Sequence, residues 1–240
     1  MNLRIVTYNT QSGFANGRII HDFLPQAQVI AAFAPDVVAL QEVAIRHPQG
    51  KPVDYPAEVA ARLQMHYLFA EAMTLGEDGH YGVAILSRFP LERLRDIPLP
   101  VPEGIEPRVA LVARVYAPTP FFMVSTHLSY QGEFDGDDEG RVRQIGAILR
   151  FLDEQRLAPV ILAGDLNAAP QAPALQALRQ KLAVLNDGRS DRSTARTGKY
   201  GWLQIDYIAT SPAVQCRGFQ IGDDCQASDH HPVFAQVEIP

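Results

Sequence analysis

Residues 160–167 read Val-Ile-Leu-Ala-Gly-Asp-Leu-Asn, a short apolar run that ends in an acid and an amide. Four consecutive apolar residues, 160–163, are typical of a strand that is covered on both faces. The polar residues that follow predict a functional loop, because a rigid scaffold presents binding and catalytic groups on the loops beside its buried elements. Other apolar runs of the chain are accompanied by polar residues in the same way, and these runs indicate the fold class.

Short apolar runs between turn residues predict a set of buried strands. They span residues 3–8, 37–40, 83–86, 109–115, 121–125, 160–163, 205–208 and 233–239. The pentapeptide Tyr-Ala-Pro-Thr-Pro at 116–120 separates two of them. A turn-rich segment of this length predicts a hairpin, and therefore antiparallel pairing.

Helical spacing of apolar residues predicts four helices, over residues 21–33, 57–63, 141–157 and 172–181. Mostly antiparallel strands combined with these helices predict an α+β architecture in which helices cover the sheets. The proline-rich segment 98–107 is short and predicts a loop between strands, not an interdomain linker. We therefore expect one domain over residues 1–240.

The composition limits the function classes. The chain of 240 residues has 21 basic and 27 acidic side chains, a net charge of −6. This balance disfavours a protein whose main task is gripping nucleic acid, although a local basic groove stays possible. Cys216 and Cys225 are too few for a disulfide framework, so we expect thiols in a reducing compartment, with a disulfide as the alternative. No signal peptide or membrane span is predicted, and a cytoplasmic location is expected.

Acids, amides and imidazoles accompany six of the apolar runs. They are Asn9, Gln41, Glu42, His127, Asp165, Asn167, Asp206, Asp229 and His230. These groups suit metal-assisted attack of water on a phosphoester. Mg²⁺ needs only one or two carboxylates, an attacking water needs a base, and the charge on phosphoryl oxygens needs cationic or amide donors.

An ordered set of motifs carries a family resemblance. They are Thr-Tyr-Asn (7–9), Leu-Gln-Glu-Val (40–43), Gly-Val-Ala-Ile-Leu-Ser-Arg (82–88), Ser-Thr-His-Leu (125–128), Gly-Asp-Leu-Asn (164–167), Ile-Asp-Tyr-Ile (205–208) and Ser-Asp-His-His-Pro (228–232). This set resembles the endonuclease/exonuclease/phosphatase superfamily over essentially the whole chain. The resemblance implies the DNase I-like fold, a four-layer α/β/β/α sandwich with two mixed β-sheets flanked by helices.

The resemblance also implies roles for the principal polar residues. Glu42, with Asn9 and Asp229, is expected to bind Mg²⁺ (or Mn²⁺). Asp165 is expected to orient or deprotonate the water and Asn167 to hold a phosphate oxygen, while Asp206 orients His230. The chain departs from some nucleases of the superfamily by having Gln11 in place of an aspartate ligand, which weakens the case for a second metal.

The remaining matches are less specific. The resemblance implies that His127 helps the leaving group depart and that Arg108 lies near the phosphate. Tyr81 is expected to contact substrate, with a packing role as the alternative. Arg141 and Gln144 fit a helix pattern of the family, and a solvated helix start explains Arg141 equally well. Five histidines are expected to have surface or structural roles only: His21, His47, His66, His80 and His231. The acidic stretch 135–139 is expected to be a solvated loop.

The resulting hypothesis is a divalent-metal-dependent hydrolase of phosphoester bonds that uses in-line attack by water. Its expected substrate is a small-molecule, nucleotide or lipid phosphate. The alternatives are a DNA or RNA nuclease of the same superfamily, a non-catalytic phosphate-binding module, and a zinc hydrolase. The last is the least favoured, because His127 and His230 lack a short-spaced zinc motif.

Overall fold

Two six-stranded sheets form the centre of the fold in the computed structural model, which describes residues 1–15, 18–19, 23–50, 52–130, 138–187, 193–197, 201–222 and 226–240. The first sheet contains, in spatial order, β15 (Gln215–Ile221), β16 (Val233–Glu238), β1 (Asn2–Asn9), β4 (Val37–Ile45), β6 (Gly79–Ser87) and β5 (His66–Leu75). The second contains β11 (Ala183–Val184), β14 (Asp206–Thr210), β10 (Val160–Asp165), β9 (Phe121–His127), β8 (Arg108–Val115) and β7 (Leu91–Leu99).

Both sheets are mixed. In the first, β1 pairs with β4 in parallel and with β16 antiparallel. In the second, β10 pairs with β9 in parallel and with β14 antiparallel. The predicted hairpin across 116–120 is confirmed, because β8 and β9 are antiparallel neighbours. Two short hairpins lie outside the sheets, β2–β3 (Phe14–Ala15, Arg18–Ile19) and β12–β13 (Ala195–Thr197, Gly201–Leu203).

Four helices cover the outer faces of the sheets in the described ranges. They are α1 (Leu24–Ala32), α2 (Tyr55–Leu63), α3 (Glu139–Glu154) and α4 (Pro173–Arg179). The four predicted helices are confirmed with shifted ends. Helix α2 starts two residues early because the Oδ1 atom of Asp54 accepts a hydrogen bond from the Ala57 amide at 3.0 Å. The first two residues of the predicted 21–33 helix lie outside the described residues.

Three apolar cores define the layers. One fills the space between the sheets and includes Ile5, Leu111 and Ile161. The second joins the outer face of the second sheet to α3 and α4, and the third joins the first sheet to α1 and α2. The predicted α/β/β/α sandwich is therefore confirmed. None of the described helices has the length and apolar character needed to cross a membrane.

Three long strands were not predicted from the sequence: β5, β7 and β15. Each is an edge strand of its sheet, and each has many exposed residues. An edge strand needs no continuous apolar run, so its pattern is weak. Pro98 lies in β7 and not in the predicted 98–107 loop. Proline is tolerated there because β7 is an edge strand.

Substitution of Leu111 tests the core between the sheets. Leu111 is fully buried there. We expect Leu111→Ala to lower the free energy of unfolding by about 2–5 kcal/mol, because the lost contacts leave a cavity. Leu24→Ala is the matched control, because Leu24 is 42% exposed, and it should cost about 1 kcal/mol or less. Urea unfolding measures both, and equal costs would contradict this picture of the core.

Candidate functional site

The polar residues predicted from the sequence meet at one edge of the sandwich, between the two sheets. Strands β1, β9 and β10 end there in Asn9, His127 and Asp165, respectively. Asp206 begins β14, and it lies opposite Asp165 because these two strands are antiparallel. His230 lies just before β16. Because β16 runs antiparallel to β1, the start of β16 lies at the edge where β1 ends. The ends of parallel strands and the starts of antiparallel ones thus share an edge.

Asn9 joins the two sheets at this edge. Its Nδ2 atom donates hydrogen bonds to Oε1 of Glu42 at 2.9 Å and to Oδ2 of Asp165 at 3.1 Å. Its Oδ1 atom accepts from the backbone amide of Gln11 at 3.0 Å. Asn9 therefore orients two carboxylates of the site through its amide nitrogen, and binding of a cation by its oxygen stays a prediction.

A bulge in β4 places Glu42. The pairing of β4 with β6 shifts register between Leu40 and Val43, and Glu42 has a φ of 54°. A bulge bends a strand and re-aims a side chain, and a left-handed φ in a residue other than glycine is a strain that surrounding contacts must hold. The hydroxyl of Ser12 supplies one such contact, donating to the Glu42 carbonyl at 3.0 Å. The local backbone is therefore shaped to present this carboxylate.

Gly164 and Asp165 are the last residues of β10, not a turn. A Cβ atom on Gly164 would lie 2.0 Å from the carbonyl oxygen of Thr126 in β9. Only glycine lets these two strands approach so closely, and the approach brings Asp165 beside His127 in the register of the sheet. The glycine of the motif thus has a packing function.

Asp165 is fully buried and accepts several hydrogen bonds. Besides the bond from Asn9, its Oδ1 atom accepts from the backbone amide of Asn167 at 2.9 Å. Burial, together with repulsion from Asp206, raises the pKa of Asp165 to about 7. A carboxylate with a pKa near neutrality is suited to accept a proton from water.

His230 and Asp206 form a buried acid–imidazole pair. The Nδ1 atom of His230 lies 2.9 Å from Oδ2 of Asp206, and its Nε2 atom lies 3.7 Å from Oδ2 of Asp165. Burial opposes the charge on this imidazole, but attraction by Asp206 and Asp165 raises the pKa of His230 to about 10. These acids therefore favour the charged form of the imidazole. Asp165, Asp206 and His230 also have potential ligand atoms within 4.8 Å of one another, so these three residues could hold a metal ion.

Asp229 and Glu42 are two further carboxylates of the site. The Nε2 atom of Gln11 donates to Oδ2 of Asp229 at 2.9 Å. Burial raises the pKa of both carboxyl groups, and Glu42 is also repelled by Asp229. Gln11 was noted in the sequence only as a departure from an acidic ligand, and the structure shows that it holds Asp229.

His127, Asn167 and Arg108 form a third group of contacts. The Nε2 atom of His127 lies 3.0 Å from Nδ2 of Asn167, and its Nδ1 atom lies 3.2 Å from Nη1 of Arg108. Arg108 is only 4% exposed. Tyr81 lies beside Arg108 and Glu42, and burial, with repulsion from Glu42, raises the pKa of its hydroxyl well above its ordinary value.

Several residues with predicted structural or surface roles make contacts in other parts of the fold. His231 lies 3.2 Å from the Ser193 carbonyl, and His80 pairs with Glu71 at 3.0 Å. Arg141 is buried, pairs with Asp138 and donates to the Ser129 carbonyl at 3.2 Å, so it is no solvated helix start. Gln144 accepts from the Ser129 amide at 3.0 Å. His21 and residues 135–137 lie outside the described residues.

Known proteins resemble this chain over nearly its whole length. A family model described as the Endonuclease/Exonuclease/phosphatase family matches residues 6–230. An uncharacterized protein of Escherichia coli (strain K12), YbhP, is 24% identical over 99% of this chain and 97% of its own. The structure of an endonuclease/exonuclease/phosphatase from Beutenbergia cavernae is 26% identical with a TM-score of 0.77, covering 99% of this chain and 72% of that one. A mannosyl-6-phosphatase of Bacteroides thetaiotaomicron is 15% identical with a TM-score of 0.77, covering 99% and 100%.

Substitution of Gly164 tests the close approach of β9 and β10, which sets the position of Asp165. We expect Gly164→Ala to destabilise the protein by about 1–3 kcal/mol, because the added methyl group forces β9 and β10 apart. Gly146→Ala is the control, because Gly146 lies in α3 and a methyl group added there would meet no neighbouring atom within 4 Å. This second change should gain up to about 1 kcal/mol. Urea unfolding of the two alanine variants decides the matter, and the packing interpretation fails if they behave alike.

Proposed function

Because the chain belongs to the Endonuclease/Exonuclease/phosphatase family, whose members are generally hydrolytic phosphoesterases, we propose that it is a divalent-metal-dependent phosphoric ester hydrolase. Its substrate in this proposal is a small-molecule, nucleotide or lipid phosphate, and a single catalytic domain spans residues 1–240. The observation that carries the proposal is the placement of the His230 cation 3.7 Å from the Asp165 carboxylate. One group can bind a phosphoryl oxygen while the other accepts a proton from water.

The donor set of Glu42 and Asp229 fits a hard divalent cation. Both carboxyl groups have a pKa raised by burial, and they repel each other. A cation between them would relieve this repulsion and favour their ionised forms. Mg²⁺ or Mn²⁺ bound by Glu42, Asp229 and Asn9 would polarise the phosphoryl group and stabilise charge on the leaving oxygen.

The remaining residues of the site act on the water and the phosphoryl oxygens. Asp165 orients the attacking water and takes its proton as the new P–O bond forms. His230 is held by Asp206 and donates a hydrogen bond to a phosphoryl oxygen. Asn167 and Arg108 add further donors, and the buried Nε atom of Arg108 has no hydrogen-bond partner among the described residues. An orphaned buried donor favours an oxygen of the substrate as its partner.

The charges around the site favour a compact substrate over duplex DNA. Arg108 pairs with Glu106 at 2.7 Å, and Arg141 and Arg143 pair with Asp138 and Glu139. These acids compensate the cations that would otherwise contact a nucleic acid backbone. A DNA or RNA nuclease is the second candidate, because the family also includes enzymes that act on nucleic acids.

A cytoplasmic location is part of the proposal. Cys216 is an exposed thiol with no disulfide partner among the described residues, and free thiols persist in reducing compartments. Cys225 lies outside the described residues.

Two substitutions test the roles of Glu42 and His230. We expect Glu42→Gln and His230→Asn each to lower kcat by about 100-fold or more, because the first removes an anionic metal ligand and the second removes the imidazole that donates to the phosphoryl oxygen. Asp153→Asn is the control, because Asp153 pairs with Lys181 on the exposed side of α3. Turnover of a generic phosphodiester, such as bis-p-nitrophenyl phosphate, measures all three. Near-normal turnover in either site variant, with the fold intact, would contradict these roles.

Removal of the metal is a separate test. Dialysis against a chelator should abolish turnover, and Mg²⁺ or Mn²⁺ should restore it. Titration calorimetry with Mn²⁺ alone should show binding to the wild-type protein and weaker binding by at least about 10-fold for Glu42→Gln, because one of few anionic ligands is lost. Activity that survives chelation, or equal Mn²⁺ affinities, would refute the assigned metal site.

A substrate panel separates the two candidate functions. Plasmid DNA, RNA, phospholipid, sugar phosphate and nucleotide substrates are compared in the presence of Mg²⁺, with Glu42→Gln as the background control. We expect the compact phosphates to be hydrolysed faster than plasmid DNA. Faster cleavage of DNA or RNA, with steep salt dependence, would favour the nuclease.

A further inference from the structure

We propose that Glu106 and Arg108 hold His127 as a neutral imidazole with its hydrogen on Nε2, so that His127 donates a hydrogen bond and not a proton. In this proposal Glu106 is a positioning residue that acts through Arg108. The catalytic consequence rests on the proposed function, whereas the state of the imidazole does not. The proposed role of His127 differs from the one implied by the family resemblance, in which His127 helps the leaving group depart.

The Nδ1 atom of His127 faces a cation. Its neighbour among the described residues is Nη1 of Arg108 at 3.2 Å, and both residues are only 4% exposed. A guanidinium group has donors only and stays charged in proteins. A hydrogen on Nδ1 would therefore face a hydrogen of a cation at close range. Nδ1 must accept the hydrogen bond, which leaves Nε2 as the nitrogen that carries hydrogen in the neutral ring.

The Nε2 atom of His127 faces two groups among the described residues. They are Nδ2 of Asn167 at 3.0 Å and Oδ2 of Asp165 at 3.4 Å. The Asn167 nitrogen also donates to the Leu128 carbonyl at 3.1 Å, which fixes its orientation. Both ring nitrogens thus face a donor, and only one can accept. Arg108 is the charged donor, so the hydrogen bond that it donates to Nδ1 is the stronger one. The hydrogen on Nε2 then points to the Asp165 carboxylate.

The surroundings of His127 also exclude a doubly protonated ring. Burial, the charge of Arg108 and the charge of His230 all lower the pKa of His127, well below its ordinary value. Asp165 is the one acid in contact with this ring among the described residues, and it is shared with Asn9 and His230. The ring of His127 is therefore neutral.

Glu106 fixes the direction of the guanidinium. Its Oε1 atom lies 2.7 Å from Nη1 of Arg108, the same nitrogen that faces His127. Nη1 has two hydrogens, so one can point at each partner. The ring of Tyr130 lies 5.7 Å from the guanidinium carbon and adds a cation–π contact. Loss of the Glu106 charge would free Nη1 to rotate away from His127.

A consequence for the reaction is that His127 does not supply the proton of the departing oxygen. The water that attacks phosphorus gives its proton to Asp165, and the bond from phosphorus to the departing oxygen breaks. His127 retains its hydrogen and stabilises charge nearby by hydrogen bonding. The departing oxygen therefore takes its proton from solvent water.

The ring state can be measured directly in the whole protein. The chain contains seven histidines, and labelling them with ¹⁵N gives a tautomer-specific pattern for each ring. His127→Gln identifies the signals of His127 by their loss. We expect Nδ1 without hydrogen and Nε2 with hydrogen between about pH 6 and 8. The opposite tautomer, or a doubly protonated ring in this range, would overturn the proposal.

Glu106→Gln tests the positioning role, and Glu103→Gln is its matched control on the exposed part of the same loop. We expect Glu106→Gln to give mixed tautomers at His127 and a kcat lower by about 10- to 100-fold with KM little changed, the range for residues that orient a site group. Glu103→Gln should match the wild type. Thermal unfolding checks that both variants fold.

Arg108→Lys and Arg108→Met give a second comparison. The lysine keeps a charged donor and should keep hydrogen on Nε2, whereas methionine should lose this preference. A wild-type tautomer pattern and kcat in Glu106→Gln, or in Arg108→Met, would overturn the proposal. If no phosphoester is hydrolysed but the spectra are as expected, the proposed function fails and the ring assignment stands.

Discussion

The site depends on one amide that joins two sheets. Asn9 comes from the first sheet and donates to Glu42 of its own sheet and to Asp165 of the other. Two buried carboxylates repel each other unless donors or cations lie between them. The Asn9 amide supplies such a donor, and the apolar core below it fixes the distance between the sheets. Packing and electrostatics therefore set the same geometry.

The two histidines show how neighbours assign different tasks to one residue type. His230 has an acid on Nδ1, and His127 has a guanidinium in the same position. The nearest charged group thus decides whether the imidazole is a cation or a neutral donor. Pairs of titratable groups with opposed environments are how a site separates its acid and base functions at one pH. Arg108 has this effect while its buried Nε atom stays unbonded within the part of the chain that the structure describes.

The sequence predicted most buried strands and most residues of the candidate site, because apolar runs and motif residues have strong local patterns. The four layers followed from the family resemblance and not from these patterns. Leu111 and Ile161 lie in continuous apolar runs, and Asp165 follows one of them. Glu106 could not be found in this way, because its effect depends on a contact with Arg108 that only the folded chain brings about. The bulge at Glu42 was also beyond the sequence, since a left-handed φ in a glutamate has no residue signature. The edge strands were missed because half-exposed strands lack an apolar run.

The pairing of β1 with β16 has a consequence for biosynthesis. Residues 2–7 pair with residues 233–238, and His230 lies just before this final strand. The ribosome makes β1 first and must release β16 before β1 gains this neighbour. During translation Asn9, Glu42 and Asp165 exist for some time without His230, so the nascent chain carries an incomplete set of reacting groups. In the proposed function, hydrolysis therefore has to await the synthesis of residues 230–238 and their pairing with β1.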